Sequence, residues 1–348
     1  MKRVLSGMRP TGKLHLGHYV GALGKWVELQ EDREKRYENF HLVADYHVLT
    51  THTGTADIEQ NTLDMVQDWL AVGIDPEKSP IFRQSEIKEH SELFLILSML
   101  VTTARLERNP TLKEQIRNLK LENPSYGHLG YPVLQSADIL LYKGDVVPVG
   151  EDQSPHVEIA RELARRFNKT YSSVFPEPEA LLPTFDEIDQ KHQDVQVTFS
   201  DQFSFGRLPG IDGRAKMSKS LNNAILISDE PETIQKRLKK AFTDPLKIRR
   251  NDIGRPDICL VYTYHTRFNT AASPEIRKGC ETGTLGCVDC KQRCAEAIAD
   301  QLAPVRERRR KFDGRPDELR DVLADGEKRA GAVAQETMAQ VHEAMGLG

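Results

Sequence analysis

Two histidines stand three residues apart in the stretch "TGKLHLGHYVGAL", Thr11 to Leu23, among glycines at positions 12, 17 and 21. A short apolar strand, "RVLSG", precedes them, and residues with helical spacing follow (Val20, Leu23, Trp26, Val27 and Leu29). His15 and His18 therefore share a face at a helix entrance, where backbone N–H groups already favour an anion. Pro10 and Gly12 suit a tight turn, and Gly17 leaves room where a side chain would meet a bound nucleotide. Imidazoles so placed can donate to phosphate oxygens as charge builds in a transition state. Taken alone, the motif reads equally well as a pair of surface histidines.

A second stretch far along the chain, "GRAKMSKS", adds the complementary chemistry. Gly213 permits a flexible loop, Lys216 and Lys219 supply two cations, and Ser218 and Ser220 add hydroxyl donors. Such a loop can neutralise a departing pyrophosphate. Together the two stretches resemble the paired signatures of class I aminoacyl-tRNA synthetases, the first as His15-Leu16-Gly17-His18 and the second as Lys216-Met217-Ser218-Lys219-Ser220. The resemblance runs over essentially the whole chain. Within that class it is closest to the tryptophan and tyrosine enzymes, and "YPVLQSADILLY…DVVPVGEDQSPHVEIARELARRFN" reads like the tryptophan branch.

An indole offers one polar group, an N–H that only donates, so a selective pocket needs one acceptor in an apolar slot. Asp138, among Ala137, Ile139, Leu140 and Leu141, is the acceptor expected here, and the resemblance assigns it the same role. A phenol could also donate to it. Tyrosine-specific relatives, however, place a tyrosine on the first strand where this chain has Leu5, which favours tryptophan over tyrosine. Gln135 occurs in both branches. The resemblance further implies that Tyr131 and Gln153 meet the substrate ammonium and that His47 lines the same pocket. For ATP it implies Arg9, Pro10, Thr11, Gly17, His18, Gly150, Glu151, Asp152, Leu208 and the Lys216–Ser220 loop, with Mg²⁺. Lys113 resembles a third lysine aimed at the phosphates. Arg9 departs from the glutamine of many relatives, and an extra residue before the second signature leaves the adenine contact near Leu208 open.

All five cysteines lie between Cys259 and Cys294. Cys259, Cys280, Cys287 and Cys290 can supply four thiolates, and their C-x2-C core suits either tetrahedral Zn²⁺ or a [4Fe–4S] cluster. The stretch "KGCETGTLGCVDC" is similar to the iron–sulfur segment of a bacterial subset of tryptophan enzymes, though its first gap is shorter; the resemblance implies the [4Fe–4S] cluster, in a structural role by the anticodon region. Cys294, one turn beyond Cys290, reads as a buried small residue.

The elements needed to position these groups are legible. Through the first 220 residues short apolar segments alternate with amphipathic ones, which implies a parallel sheet with crossover helices, a Rossmann-like α/β domain with its ligand at the strands' carboxyl ends. Residues 221–348 read as mainly helical, an anticodon-binding domain by resemblance. The apolar helix "HSELFLILSMLVT" has more apolar surface than one layer buries, so the segment of about residues 85–140 is expected to form a homodimer interface, as in the family. Thr184 to Arg207 has no clear period and reads as an insertion. There are no internal repeats.

Net charge is only −4, which by itself says nothing about nucleic acid. Its distribution says more: "QKRLKK" (Gln235 to Lys240), "KIRR" (Lys247 to Arg250) and "RERRRK" (Arg306 to Lys311) all fall in the last third, where clustered cations suit a phosphate backbone. No apolar run approaches the ~20 residues of a membrane span, and the N-terminal stretch is not apolar enough for a signal peptide. A soluble, cytoplasmic protein is expected. The reading is an ATP-dependent enzyme that activates tryptophan and transfers it to tRNA(Trp). The alternatives are tyrosine specificity, a nucleotidyltransferase of the same superfamily, and a non-catalytic, RNA-binding paralogue.

Overall fold

The computed structural model describes residues 1–51, 53–118, 121–150, 153–182, 208–213, 216–219 and 221–347. Glu151, Asp152, Ser220 and the expected insertion up to Arg207 lie outside the described residues, save for its context at Leu181 and Leu208.

Five strands form one sheet: β1 (Lys2–Met8), β2 (Tyr37–Val43), β3 (Ile81–Arg83), β4 (Val146–Pro148) and β5 (Glu179–Leu181). Their spatial order is β3-β2-β1-β4-β5 and every pairing is parallel. The chain order reverses between β1 and β4, so the crevice at their carboxyl ends is where such a sheet takes a ligand. Side chains on β2 alternate between two cores: Phe40 and Leu42 face one, Val43 the other. Helices therefore cover both faces, which is the expected α/β layering.

The first helix, α1, is built from Leu16–His18, a π-helical turn at Tyr19–Leu23 and Gly24–Gln30. The sequence pattern reads as one regular helix there; the wider turn directly after the histidines is what periodicity does not show. A short helix, α2 (Asp45–Leu49), stands where a loop is expected after β2. Helix α3 (Ile58–Val72) ends at Gly73 with φ 117°, the expected left-handed cap. Next come α4 (Glu89–Ser98), α5 (Thr103–Glu107) and α6 (Pro110–Asn118). The last lies in a stretch too polar to suggest a helix; the Asn109 side chain caps it by accepting from the N–H groups of Thr111 and Leu112 at 2.9 and 3.1 Å. Helix α7 (Tyr126–Leu141) begins well before Pro132, which a sequence reading takes as its start, because Ser125 caps it by accepting from the His128 N–H at 3.1 Å. Helix α8 (Ser154–Thr170) completes this half.

Beyond residue 221 come α9 (Pro231–Lys239), α10 (Leu260–Phe268), α11 (Ser273–Glu281), α12 (Cys287–Arg310) and α13 (Pro316–Met345). One continuous apolar core joins α9, α10 and α12 to α1 and α3. Helix α13 returns to the sheet and lies along β3, with Arg83 Nε 2.6 Å from Glu327 Oε1. It covers the edge that β3 would otherwise present. A Cβ on Gly326 would stand 1.9 Å from the Ile81 carbonyl oxygen, a backbone atom that cannot move aside. Replacing Gly326 by Ala should therefore cost on the order of 3 kcal/mol, read as a lower midpoint in urea unfolding with far-UV circular dichroism; an unchanged midpoint would show that α13 can lift off the edge freely.

Candidate active site

The loop between β1 and α1 turns at Gly12, whose φ is 82° and whose missing side chain makes way for Asn61. From there Leu14 to Leu16 pair with the segment just after the second signature: Leu16 N–H donates to the Ile225 carbonyl at 2.9 Å and Ile227 N–H to the Leu14 carbonyl at 3.0 Å. The two motifs, remote in sequence, are thus clamped side by side. The His15 and His18 rings lie 3.8 Å apart. A Cβ on Gly17 would come within 3.0 Å of the His15 ring, so this glycine makes room for its neighbouring histidine.

Burial, then the positive charge of Lys216 and Lys219, lowers the His15 pKa from its ordinary 6.5 to about 4. Burial, then His15 and the same lysines, lowers that of His18 to about 3. Both rings are neutral at pH 7 and each keeps one N–H. His18 Nδ1 accepts from the His15 backbone N–H at 3.2 Å, which puts the His18 proton on Nε2. Lys219 Nζ rests on the Thr11 carbonyl oxygen. Lys216 is exposed, Met217 is buried, and Met217 N–H donates to the buried Leu208 at 3.1 Å. The loop is pinned by Asn223, which no sequence signal singles out: its Oδ1 accepts from the Ser218 N–H at 2.7 Å and its Nδ2 donates to Asp212 at 3.1 Å.

Beside this phosphate side lies a cavity of about 300 Å³ at the carboxyl ends of β1 and β4. Leu5, His47, Tyr131, Gln135, Asp138 and Gln153, the six residues expected to hold an amino acid, all line it, and Arg9 stands at it too. Sequence reasoning missed Thr50, Gln115 and Val147 in the lining. It also missed the partners of Asp138. One carboxylate oxygen accepts from Gln84 Nε2 at 2.7 Å and pairs with His90 Nδ1 at 2.7 Å; the other pairs with His47 Nε2 at 2.9 Å. Burial by itself would raise the Asp138 pKa, but the hydrogen bonds and charge of the two histidines outweigh it and hold it at about 2. A carboxylate has about four acceptor positions, so three inner donors leave one for a ligand N–H. Across the cavity Tyr131 Oη and Gln153 Oε1 are bridged by His156, at 2.6 and 3.0 Å.

Of the other expected ATP residues, Gly150 accepts from the Gln153 N–H at 2.9 Å, and Pro10 and Thr11 sit in the turn. Lys113 is exposed on α6 and is not part of the cavity wall, although Gln115 of the same helix is.

Cys259 precedes α10, Cys280 lies in α11, and Cys287 and Cys290 open α12. Burial, then the charge of Cys259, pushes the Cys280 thiol up to about 11; burial, then Cys259, Cys280 and Cys287, pushes Cys290 higher still. The four thiols thus sense one another. Among the described residues, however, no three His, Cys, Asp or Glu side chains stand in the arrangement of a closed metal site. Cys294 is fully buried, as expected.

The run Arg306–Lys311 does not present the free charges expected of it. Arg306 donates to the Ala299 carbonyl at 2.9 Å, Arg308 to that of Ala71 at 2.6 Å, Arg309 to Asp68 at 2.7 Å and Arg310 to Glu230 at 2.6 Å. Arg308 and Arg309 dock α12 onto α3, while Arg310 and Lys311 are exposed. Lys236, Lys239, Lys240, Arg249 and Arg250 of the other two runs are exposed.

Because both signature histidines are held neutral, their ring signals in an NMR titration of the folded protein should stay unprotonated through the physiological range, with midpoints at about 4 for His15 and about 3 for His18. A midpoint near the ordinary value for either would mean that the ring is open to water and not packed under the two lysines.

Residues 1–303 match the family model of class I tRNA synthetases (W and Y). The tryptophan–tRNA ligase of Thermotoga maritima is 47% identical over 99% of both chains, and that of Aquifex aeolicus 40% identical over 99% of this chain and all (100%) of its own. The tryptophanyl-tRNA synthetase of Campylobacter jejuni, solved with ADP and tryptophan, superposes with a TM-score of 0.83 at 32% identity, over 99% of this chain and 100% of that one. A tyrosyl-tRNA synthetase from Archaeoglobus fulgidus shares the fold at a TM-score of 0.64 and 22% identity, over 88% of this chain and 90% of its own. The chain belongs to the class I tRNA synthetases of the tryptophan and tyrosine group, and within it to the tryptophan–tRNA ligase family.

Proposed function

We propose that the chain activates L-tryptophan with ATP, forming tryptophanyl-adenylate, and transfers the amino acid to tRNA(Trp). The observation that carries this is the cavity's one buried, ionised acceptor, Asp138, placed beside the clamped His15–His18 and Lys216–Lys219 pairs. The indole N–H takes the acceptor position of Asp138 that His47, His90 and Gln84 leave over. Tyr131 and Gln153 hold the ammonium, and Leu5, His47 and Gln135 complete the pocket.

The tryptophan carboxylate is already a nucleophile and needs no general base. It attacks the α-phosphorus in line; the new O–P bond forms as the bond to pyrophosphate breaks. Neutral His15 and His18 donate N–H to the phosphate oxygens, and Lys216 and Lys219 neutralise the leaving group, so catalysis comes from placement and fixed charge. Mg²⁺ brought in with the triphosphate would add to the charge that Lys216 and Lys219 supply there. Lys113 is proposed as a further phosphate contact, reaching it from α6, and Arg9, Pro10, Thr11, Gly17, Gly150, Leu208, Met217 and Ser218 as the walls of the ATP site. In the second step a ribose hydroxyl of the tRNA attacks the acyl carbon and adenylate leaves.

The reading extends to the assembly. Residues 1–220 serve as the catalytic domain and 221–348 as the anticodon-binding one, with α13 reaching back between them. Exposed Lys236, Lys239, Lys240, Arg249 and Arg250 support contact with tRNA there. The exposed Leu95, Met99 and Tyr126 of the 85–140 segment support a homodimer. No described helix is long and apolar enough to cross a membrane.

Cys259, Cys280, Cys287 and Cys290 would hold a [4Fe–4S] cluster, whose part is to tie α10, α11 and α12 together. The donor chemistry fits, since burial and neighbouring thiolate charge raise the pKa of Cys259, Cys280 and Cys290, and a cation bound among them would offset both; the positions of the described cysteines as they stand are not those of a closed site.

Two measurements test these readings. Amino-acid-dependent pyrophosphate exchange into ATP should proceed with tryptophan and not with tyrosine or phenylalanine, and Asp138→Asn should lower kcat/KM for tryptophan by roughly 10- to 100-fold. Exchange with tyrosine would overturn the pocket assignment, and exchange with none of the three would favour a non-catalytic paralogue. Protein purified without oxygen should carry about four iron and four sulfide per chain, both lost in Cys290→Ser. Zinc in their place, or no metal, would sink the cluster.

A further inference from the structure

Asp68 is a carboxylate with no solvent exposure, and nothing in the proposed chemistry uses it. It sits on the buried face of α3. One oxygen accepts from the backbone N–H of Leu14, the residue directly before His15, at 2.7 Å. The other accepts from Arg309 Nε at 2.7 Å, at the far end of α12 from Cys287 and Cys290. The Arg309 guanidinium is itself largely buried, at 12% exposure, with Asp64 at 3.7 Å and Asp313 at 3.6 Å. Gln67 Nε2 holds both the Arg309 carbonyl at 3.0 Å and the Asp313 carboxylate at 2.8 Å.

A buried ion pair of this kind is seldom retained for stability, because an apolar pair of the same shape does as well. Its use here lies in what the second oxygen touches. Leu14 is held at its carbonyl by Ile227 and at its N–H by Asp68, so His15 follows a residue whose two flanking peptides are both fixed. Lys219 feels the negative charge of Asp68 and Asp64 as well, so the same pair faces both signature motifs.

We propose that Arg309 and Asp68 are positioning residues for the phosphate-binding histidines: Arg309 holds the Asp68 carboxylate, Asp68 fixes the Leu14 peptide, and the setting of His15 and His18 thereby depends on how α12 is docked. This rests on the reading of the histidines as ATP ligands. The helix that starts in the cysteine group and ends at Arg309 thus reaches the ATP site through one ion pair. Part of the run Arg306–Lys311 has this purpose.

The test uses the full-length chain with Asp68→Asn, Arg309→Gln and the double substitution, rates being normalised to titrated active sites. The double variant restores a neutral pair, since an asparagine can accept from Leu14 and donate to a glutamine oxygen. Each single variant should lower kcat for tryptophan-dependent exchange roughly 10- to 100-fold and raise KM for ATP, with KM for tryptophan held within about twofold. The double variant should recover to within about fivefold of the parent. Arg309→Lys, which keeps charge but lacks the Nε donor, replaces Arg309→Gln if that variant does not fold. Single variants with normal kcat per site, an equal change in both KM values, or purely additive losses in the double variant would overturn the proposal.

Hydrogen exchange of the Leu14–Gly17 amides without substrates supplies an independent reading. It should quicken in both single variants and slow again in the double; unchanged exchange would overturn the tether. A parent protein that shows no tryptophan-dependent exchange would refute the functional reading alone, while the amide data would still decide the tether.

Discussion

Two backbone hydrogen bonds, Leu16 to Ile225 and Ile227 to Leu14, hold the active site together. Each is ordinary in strength, but they join segments that are far apart in the chain. Without them the histidines would belong to one body and the lysines to another. The segment is fixed from behind by the buried core that α3, α9 and α12 share, so the pairing is backed by apolar packing and not left to itself. The turn at Gly12 and the pinning by Asn223 then set the two loops at contact distance.

The charges are arranged by contrast. At the two motifs burial and neighbouring lysines keep two imidazoles neutral, so their state does not change across the physiological range. In the neighbouring cavity a carboxylate just as buried stays ionised, because two histidines and a glutamine hold it. One solvent-poor region thereby holds a permanent acceptor and permanent donors. A substrate without a matching N–H leaves a charged acceptor short of a partner, which is a larger penalty than a lost apolar contact.

Much of this was legible in the sequence. Alternation of apolar and amphipathic segments announced the parallel sheet, and the spacing of His15, His18, Lys216 and Lys219 marked out two motifs that the fold does bring side by side. The six residues named for the amino acid do share one cavity. What escaped were relations between distant side chains: His90 and Gln84 behind Asp138, His156 between Tyr131 and Gln153, Asn223 behind the lysine loop. Each is a polar residue whose meaning lies in its partner, and no local period reports partners. The run Arg306–Lys311 misled for the same reason, since clustered cations look alike in sequence whether they face water or, as Arg306, Arg308 and Arg309 do, carbonyl and carboxylate oxygens. Proline also misled, because Pro132 resembles a helix start and instead lies inside α7.

The packing of α13 along β3 has a consequence for synthesis. The chain leaves the ribosome from its N-terminus, so β3 is made more than two hundred residues before the helix that shields it (residues 81–83 against 316–345). Through that interval the sheet has an open flank of main-chain N–H and carbonyl groups, the kind of surface on which nascent chains stick to one another. A chaperone or slow translation of the last third would act on this flank, and loss of the final helix would leave it bare for good.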